Sequence, residues 1–340
     1  MSTLPIIPRG PVPNQQAFEA FSCHVPAAGP ATPDRVLPDI LVTRDMDVSL
    51  DIPLPNGNKV RMWVFVDPAV PSTFPSTLMR VREGQVVHTR TMVKKNTHTI
   101  HHHGIEPTTF NDGVGHTSFE ISGEYTYQWQ ASQAGTYIYH CHKNTVLHFE
   151  MGMYGFLIVD PPQGPGFVRR VNAIIPYDVE ALWAADDIYT LWHTFNHDAG
   201  IACPNGVNAG LNDFNPEFFC ISGVFPPNTL TDPRVAVTAG VGQTILIRLT
   251  NASYTVLRTT LGLPGEVIEI DGRPLGQAPR AAYSRPFTIP ANTPFDLTTA
   301  QRWGILVRPT AATVFPVRMQ FLRWSNRQQL GVVDTVIRVV

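Results

Sequence analysis

The sequence predicts an all-β chain built as two β-sandwich domains in tandem, and three observations predict it. Turn formers are frequent, with 31 prolines and 25 glycines among 340 residues, and long helical periodicities are scarce. Apolar residues make up 43% of the chain, enough for a real core, and fall in short runs between turn signals. The second half also repeats a pattern of the first.

Residues 1–40 are Pro-rich and patternless and read as an arm. Strand signals begin at VSLDIPL and KVRMWVFV. They continue through LMRVREGQVVHTRTMV, a histidine cluster, YTYQWQ, GTYIYHCH and YGFLIVD. Residues 41–162 therefore form the first domain. PPQGPG at 161–166 has a linker's composition. Strand signals resume at AVTAGVGQTILIRLTN, EVIEI, WGILV and FPVRMQFLRW, so residues 167–340 form the second domain. The repeat aligns residues 81–104 with 237–262: strand, Gly turn, strand, Asn, and a last strand ending in Gly. Tyr254 stands where His98 stands, Leu257 where His101 stands, and Thr259 where His103 stands, so the second copy keeps the scaffold without the histidines.

Charged residues are only 15% and the net charge is -2, which argues against a nucleic-acid partner. No apolar run of 18 residues exists, so no membrane-spanning helix is expected. The N-terminus lacks the charged-then-apolar pattern of a signal peptide. Cys203 and Cys220 bracket a Gly/Asn-rich loop and could pair, although two free buried thiols fit the same residues, and Cys23 would be left as a buried thiol. A disulfide, with the donor chemistry described next, would favour a periplasmic or extracellular location.

THTIHHHGI, residues 97–105, holds four of the twelve histidines. Strand parity puts His101 and His103 on one face and His98 and His102 on the other. In YHCHKNTVLHFEMGMYG, residues 139–155, His140 and His142 share a face and Cys141 takes the opposite one. If the two strands are neighbours, two sets stand back to back: His98 with Cys141, and His101, His103, His140 and His142. A thiolate with imidazoles and a thioether is a blue-copper donor set. His148 and Met153 follow Cys141 in a Gly-rich turn, with Met151 a competing thioether. The four imidazoles suit copper or zinc, and the neighbouring thiolate favours copper. His193 and His197, at i and i+4 with no third ligand, read as ordinary residues, as do His24, His88 and His116.

HTIHHHG resembles the H-x-x-H-x-H-G motif of the multicopper oxidases, and YHCH with its downstream His and Met resembles their second signature. The intervening NDGVGHTSFEISGEYTYQWQASQAGTY is similar to the family's D-G turn and G-T-[YW]-x-Y-H strand. The likeness covers residues 75–160 and reaches the second domain only as scaffold. It implies two cupredoxin-like Greek-key domains, laccase-like, with copper motifs in the first. It implies His98, Cys141, His148 and Met153 at type 1 copper, His101 at type 2, and His103, His140 and His142 at type 3. Asp112 matches an acidic residue proposed to donate protons near the cluster, and is equally readable as a turn aspartate; His102 reads as packing. The implied function is a copper oxidoreductase. It would take electrons from a small-molecule or metal-ion reductant at type 1 copper and pass them through His140–Cys141–His142 to a type 2/type 3 site that reduces dioxygen.

Two departures accompany the likeness. The Cys141–His148 interval is two residues longer than in typical laccases. A complete trinuclear site also needs a second histidine set, which two-domain relatives take from a neighbour's second domain. A homo-oligomer is therefore expected, yet His193 and His197 are this chain's only second-domain histidines. The alternatives are a type 1 electron-transfer or copper-binding protein with an incomplete second site, or a nitrite-reductase-like enzyme using His103 and His140.

Overall fold

A computed structural model describes residues 37–105, 107–115, 119–200, 211, 213–277 and 284–340. The strands up to Asp160 form two facing four-stranded sheets. These are β1 (Ile40–Pro53), β2 (Lys59–Val66), β3 (Ser76–Arg82), β4 (Val86–His98), β5 (His101–His103), β6 (Ile121–Gln130), β7 (Gly135–His140) and β8 (Tyr154–Asp160). One sheet runs β2-β1-β4-β6 and the other β3-β8-β7-β5. β1 pairs with β4, and β3 with β8, in parallel; every other pair is antiparallel, the crossed connectivity of a Greek-key sandwich. Phe65, Val87, Tyr127, Trp129, Tyr139 and Leu157 fill the space between the sheets.

The strands from Val179 onward build a second sandwich from a seven-stranded and a five-stranded sheet. Here too the first strand, Val179–Ile188, runs parallel to a later one, Ile245–Asn251, and Val237–Ala239 runs parallel to Gln329–Val339. The repeat in the sequence is thus a repeat of topology.

The two sandwiches share a polar seam that fixes β7, the strand carrying His140 at its end. Arg80 joins Asp160 and Glu180, each at 2.7 Å, and Glu180 also pairs with Arg248. Arg248 donates to Thr136 Oγ1 at 2.8 Å and Tyr137 Oη to Gly272 O at 2.9 Å. Gly135 lies so close to Gly272 that a Cβ on it would stand 2.5 Å from the Gly272 carbonyl, so only glycine allows this approach. All six residues of β7 are buried.

Cys220 is a free, fully buried thiol; Cys203, its expected partner, lies outside the described residues, as do Cys23, His24, His116 and most of the N-terminal arm. No helix among the described residues is long and apolar enough to cross a membrane.

Candidate metal centres

The cluster at 97–105 is not one continuous strand. β4 leaves its sheet after His98, and the chain enters the opposite sheet at His101 as β5, beside β7. A bulge precedes the crossing, with register shifted between Val93 and His98 and Asn96 at φ 59°. Such bulges re-aim a side chain, and this one turns His98 inward. Cys141 and His142 likewise lie just past the end of β7. The two donor groups expected from simple alternation therefore arise from a sheet-to-sheet crossing.

In the first group, Cys141 Sγ lies 3.6 Å from His98 Nδ1 and 3.3 Å from His148 Nδ1, and all three residues are 0% exposed. His148 sits in the short helix α2 (Thr145–Glu150). Its Nε2 donates to His197 O at 3.0 Å, which leaves the Nδ1 lone pair aimed at the thiol. Burial drives both imidazoles well below their usual range, so they are neutral donors. Burial also pushes the Cys141 thiol up to about 11, so a metal bound here must displace its proton. His98 Nε2 is buried with no hydrogen bond, the Asp47 carboxylate standing 3.4 Å away. Met153 is fully buried in the same core cluster as Cys141, and its backbone links the two segments: Cys141 N–H donates to Met153 O, and Met153 N–H to His148 O, each at 3.0 Å. Met151 packs elsewhere, with Leu147 and Trp192.

In the second group, His101 pairs with His140 across β5 and β7. The ligand nitrogens of His101, His103 and His140 lie within 4.8 Å of one another. His140 Nδ1 donates to Cys141 O at 2.9 Å, which turns the Nε2 lone pair toward His103 Nδ1, 3.1 Å away. His101 Nδ1 donates to Asp112 O at 2.7 Å, with the Asp112 carboxylate at 3.4 Å, so Asp112 meets His101 mainly through its backbone. The turn depends on Gly113: at φ 70°, a Cβ there would fall 1.8 Å from Ile100 O. The His142 ring lies 5.3 Å from that of His101 and 5.7 Å from that of His140. Burial, then the nearby Arg302, lower His103 to about 3, and burial with the adjoining imidazoles drives His140 well down. His102 points into the core against Trp129 and Thr89 Oγ1, at 3.2 Å from the hydroxyl.

These residues fit a soft, borderline metal. Neutral imidazoles converge with a thiol in one group. In the other, the ligand nitrogens of three buried or half-buried imidazoles lie within 4.8 Å of one another, close enough to share one ion in place of the His103–His140 hydrogen bond.

Sequence reasoning missed His197. It and His193 do not share a helix: His193 lies in the 3₁₀ turn Trp192–Thr194 and donates from Nδ1 to Arg61 O. The His197 ring stands 4.8 Å from that of His98 and 4.5 Å from that of His148. No motif marks a residue 49 positions beyond His148 on a loop of the other sandwich.

Residues 56–164 match the family model described as multicopper oxidase. A copper-containing nitrite reductase of Neisseria meningitidis serogroup B is 29% identical over 220 residues, 59% of this chain and 54% of the relative, so the match spans about half of that relative. Laccase-2 of Botryotinia fuckeliana is 30% identical over 135 residues, 38% of this chain and 22% of the relative. Among solved structures, the blue copper oxidase of Nitrosomonas europaea superposes with a TM-score of 0.66 at 21% identity, covering 88% of this chain and 85% of that one. The copper nitrite reductase of the same organism gives 0.61 at 19%, covering 88% and 94%. The fold is that of a two-domain, cupredoxin-like protein. Within that class, the first sandwich is the part that matches the multicopper oxidase family, whose members bind copper.

Proposed function

We propose that the chain is a copper oxidoreductase of the multicopper oxidase type. It would accept electrons from a small-molecule or metal-ion reductant and pass them to dioxygen. The observation that carries this reading is the position of Cys141: His98 and His148 face its sulfur, while its chain neighbours His140 and His142 belong to the second imidazole group. Copper held at both places supplies one-electron redox chemistry.

The chain's own residues divide the work. His98, Cys141, His148 and the Met153 thioether form a dry type 1 site, and His101, His103, His140 and His142 hold the second site. The backbone of residues 140–142 joins the thiol to two of those imidazoles through a few covalent bonds. Asp112 holds His101 with Nε2 free for a metal. Residues 198–340 contain no histidine, so a neighbouring copy could add imidazoles only from its own earlier residues. We propose a homo-oligomer in which first domains face each other across a two-fold axis.

The test is copper-loaded protein with a phenolic or metal-ion reductant, followed by its thiolate-to-copper band and by oxygen uptake. Uptake that His101→Ala abolishes while the band persists supports the oxidase. The three converging nitrogens of His101, His103 and His140 favour a single ion as a second reading, so nitrite consumption belongs in the same assay. A band that cycles with reductant while neither dioxygen nor nitrite is consumed replaces both readings with electron transfer alone.

A further inference from the structure

The thiol–imidazole centre of this chain has no open edge. His98 and His148 are fully buried, and the outward nitrogen of His148 is already donating to a backbone carbonyl. That carbonyl belongs to His197, in the segment Leu191–Gly200 of the second sandwich, which lies across the centre. Several contacts hold the segment down. Asn144 Nδ2 donates to His197 O at 3.3 Å and to Ala199 O at 2.9 Å. His197 Nε2 donates to Thr97 O at 2.8 Å, the residue beside His98. Lys143 reaches Asp198 at 3.3 Å. Trp63 closes one side, edge-on to the His148 ring at 5.5 Å and stacked on His197 at 6.3 Å.

Resting on the type 1 reading of Cys141, we infer that Leu191–Gly200 is a cap that sets donor specificity. The cap shuts out reductants that must touch the His148 edge and leaves the centre to outer-sphere one-electron donors arriving over Trp63 and His197. The chemistry separates these classes. A phenol gives up its electron together with its hydroxyl proton, so it reacts best where a group at the contact accepts that proton. With Nδ1 facing the thiol, His148 Nε2 keeps its hydrogen capped or uncapped, so the phenol's proton must leave to water, which the cap keeps from the His148 edge. An outer-sphere metal complex loses one electron, the copper–thiolate centre gains it, and no bond is made or broken. Such a donor needs proximity, which the partly exposed Trp63 provides.

Asn144 offers the way to test this. It sits at φ 41°, ψ 53°, a left-handed conformation that glycine adopts without strain, so Asn144→Gly removes both tethers and spares the backbone. Asn144→Asp, which also loses both N–H donors, serves if the glycine variant does not fold. The first readout needs no copper: alkylation of Cys141 by iodoacetamide in the native apoprotein, mapped by peptide mass spectrometry. With two buried hydrogen bonds removed, the variant should be modified about tenfold faster or more. The second readout is bleaching of the thiolate band in copper-loaded protein by hexaammineruthenium(II) and by 2,6-dimethoxyphenol. Wild type should react quickly with the first and slowly with the second. The variant should gain about tenfold with the phenol and change less than about twofold with ruthenium. Equal alkylation rates, or a wild type that oxidises the phenol as fast as the variant, would overturn the cap. A copper-loaded protein without the band would instead defeat the type 1 reading, while the alkylation arm would still judge the cap.

Discussion

The two sandwiches handle the same turn in opposite ways. In the second, the strand Ile245–Asn251 ends and the next begins at Val256 through a loop that satisfies itself. Asn251 Nδ2 donates to Thr255 O at 2.8 Å, and Ser253 Oγ donates to Asn251 Oδ1 at 2.6 Å. Tyr254, in the His98 position, receives the Asp187 carboxylate at its N–H and donates from Oη to Val146 O of α2 at 2.8 Å. Leu257 packs in the core. In the first sandwich, the corresponding crossing leaves His98 Nε2 without a hydrogen bond and sets His103 and His140 nitrogen to nitrogen. Buried polar groups are normally paired because desolvating them unpaired costs free energy. One loop is closed by hydrogen bonds among its own residues, and the other gathers imidazole nitrogens and a thiol from separate strands toward common points. The second sandwich has turned its histidine position into a strut beneath the first sandwich's helix.

The largest expected effect follows from that gathering of donors. Copper(II) should stabilise the chain strongly, since a ligand that binds only the native state at 1,000 times its dissociation constant adds about 4 kcal/mol. Cys141→Ser should abolish the thiolate band and most of that gain while the metal-free protein still folds. Calorimetry with and without copper checks this. Equal stabilisation of wild type and variant would show that the metal sits elsewhere and would erase the contrast between the loops.

A smaller effect tests whether the two regions fold as one. Burial alone would raise Glu180, but Arg248 and Arg80 hold it at about 2. Its carboxylate therefore stabilises the folded chain fully above the unfolded pKa near 4.5, and that contribution is lost as pH falls from there through about 2. The shift corresponds to on the order of 3 kcal/mol at neutral pH. Glu180→Gln should lower stability by about that amount at pH 7 and flatten the acid limb below 4.5, with both sandwiches unfolding together. Separate transitions in wild type would mean that the seam carries no coupling.

Sequence alone carried the all-β class, the tandem repeat and the separation of donors into two groups, because each follows from short-range pattern. Strand alternation reached the right grouping by the wrong path: it assumed a continuous strand where a bulge and a crossing between sheets occur. What could not be read was long-range. His197 belongs to an irregular loop that reaches the first sandwich, and no local period encodes such a contact. The role of Tyr254 was equally hidden. The alignment showed what it lacks relative to His98, and its hydroxyl shows what it does.

Tyr254→Phe is the finest test of the comparison. The substitution removes one oxygen and keeps the ring against Phe149, Trp192 and Phe214. Val146 O would lose that donor at a part-buried contact between the sandwiches, and a single such hydrogen bond contributes about 1 kcal/mol net. Stability should fall by about that amount, with no change in copper content or in the thiolate band, because α2 also holds His148 through its backbone bond from His148 N–H to Asn144 O at 2.9 Å. Denaturant midpoints and a visible spectrum measure the two quantities independently. A shifted or weakened band would show that the Tyr254 strut positions His148 and that the second sandwich tunes the metal centre of the first. An unchanged band with the expected loss of stability would confine the strut to holding the two sandwiches together.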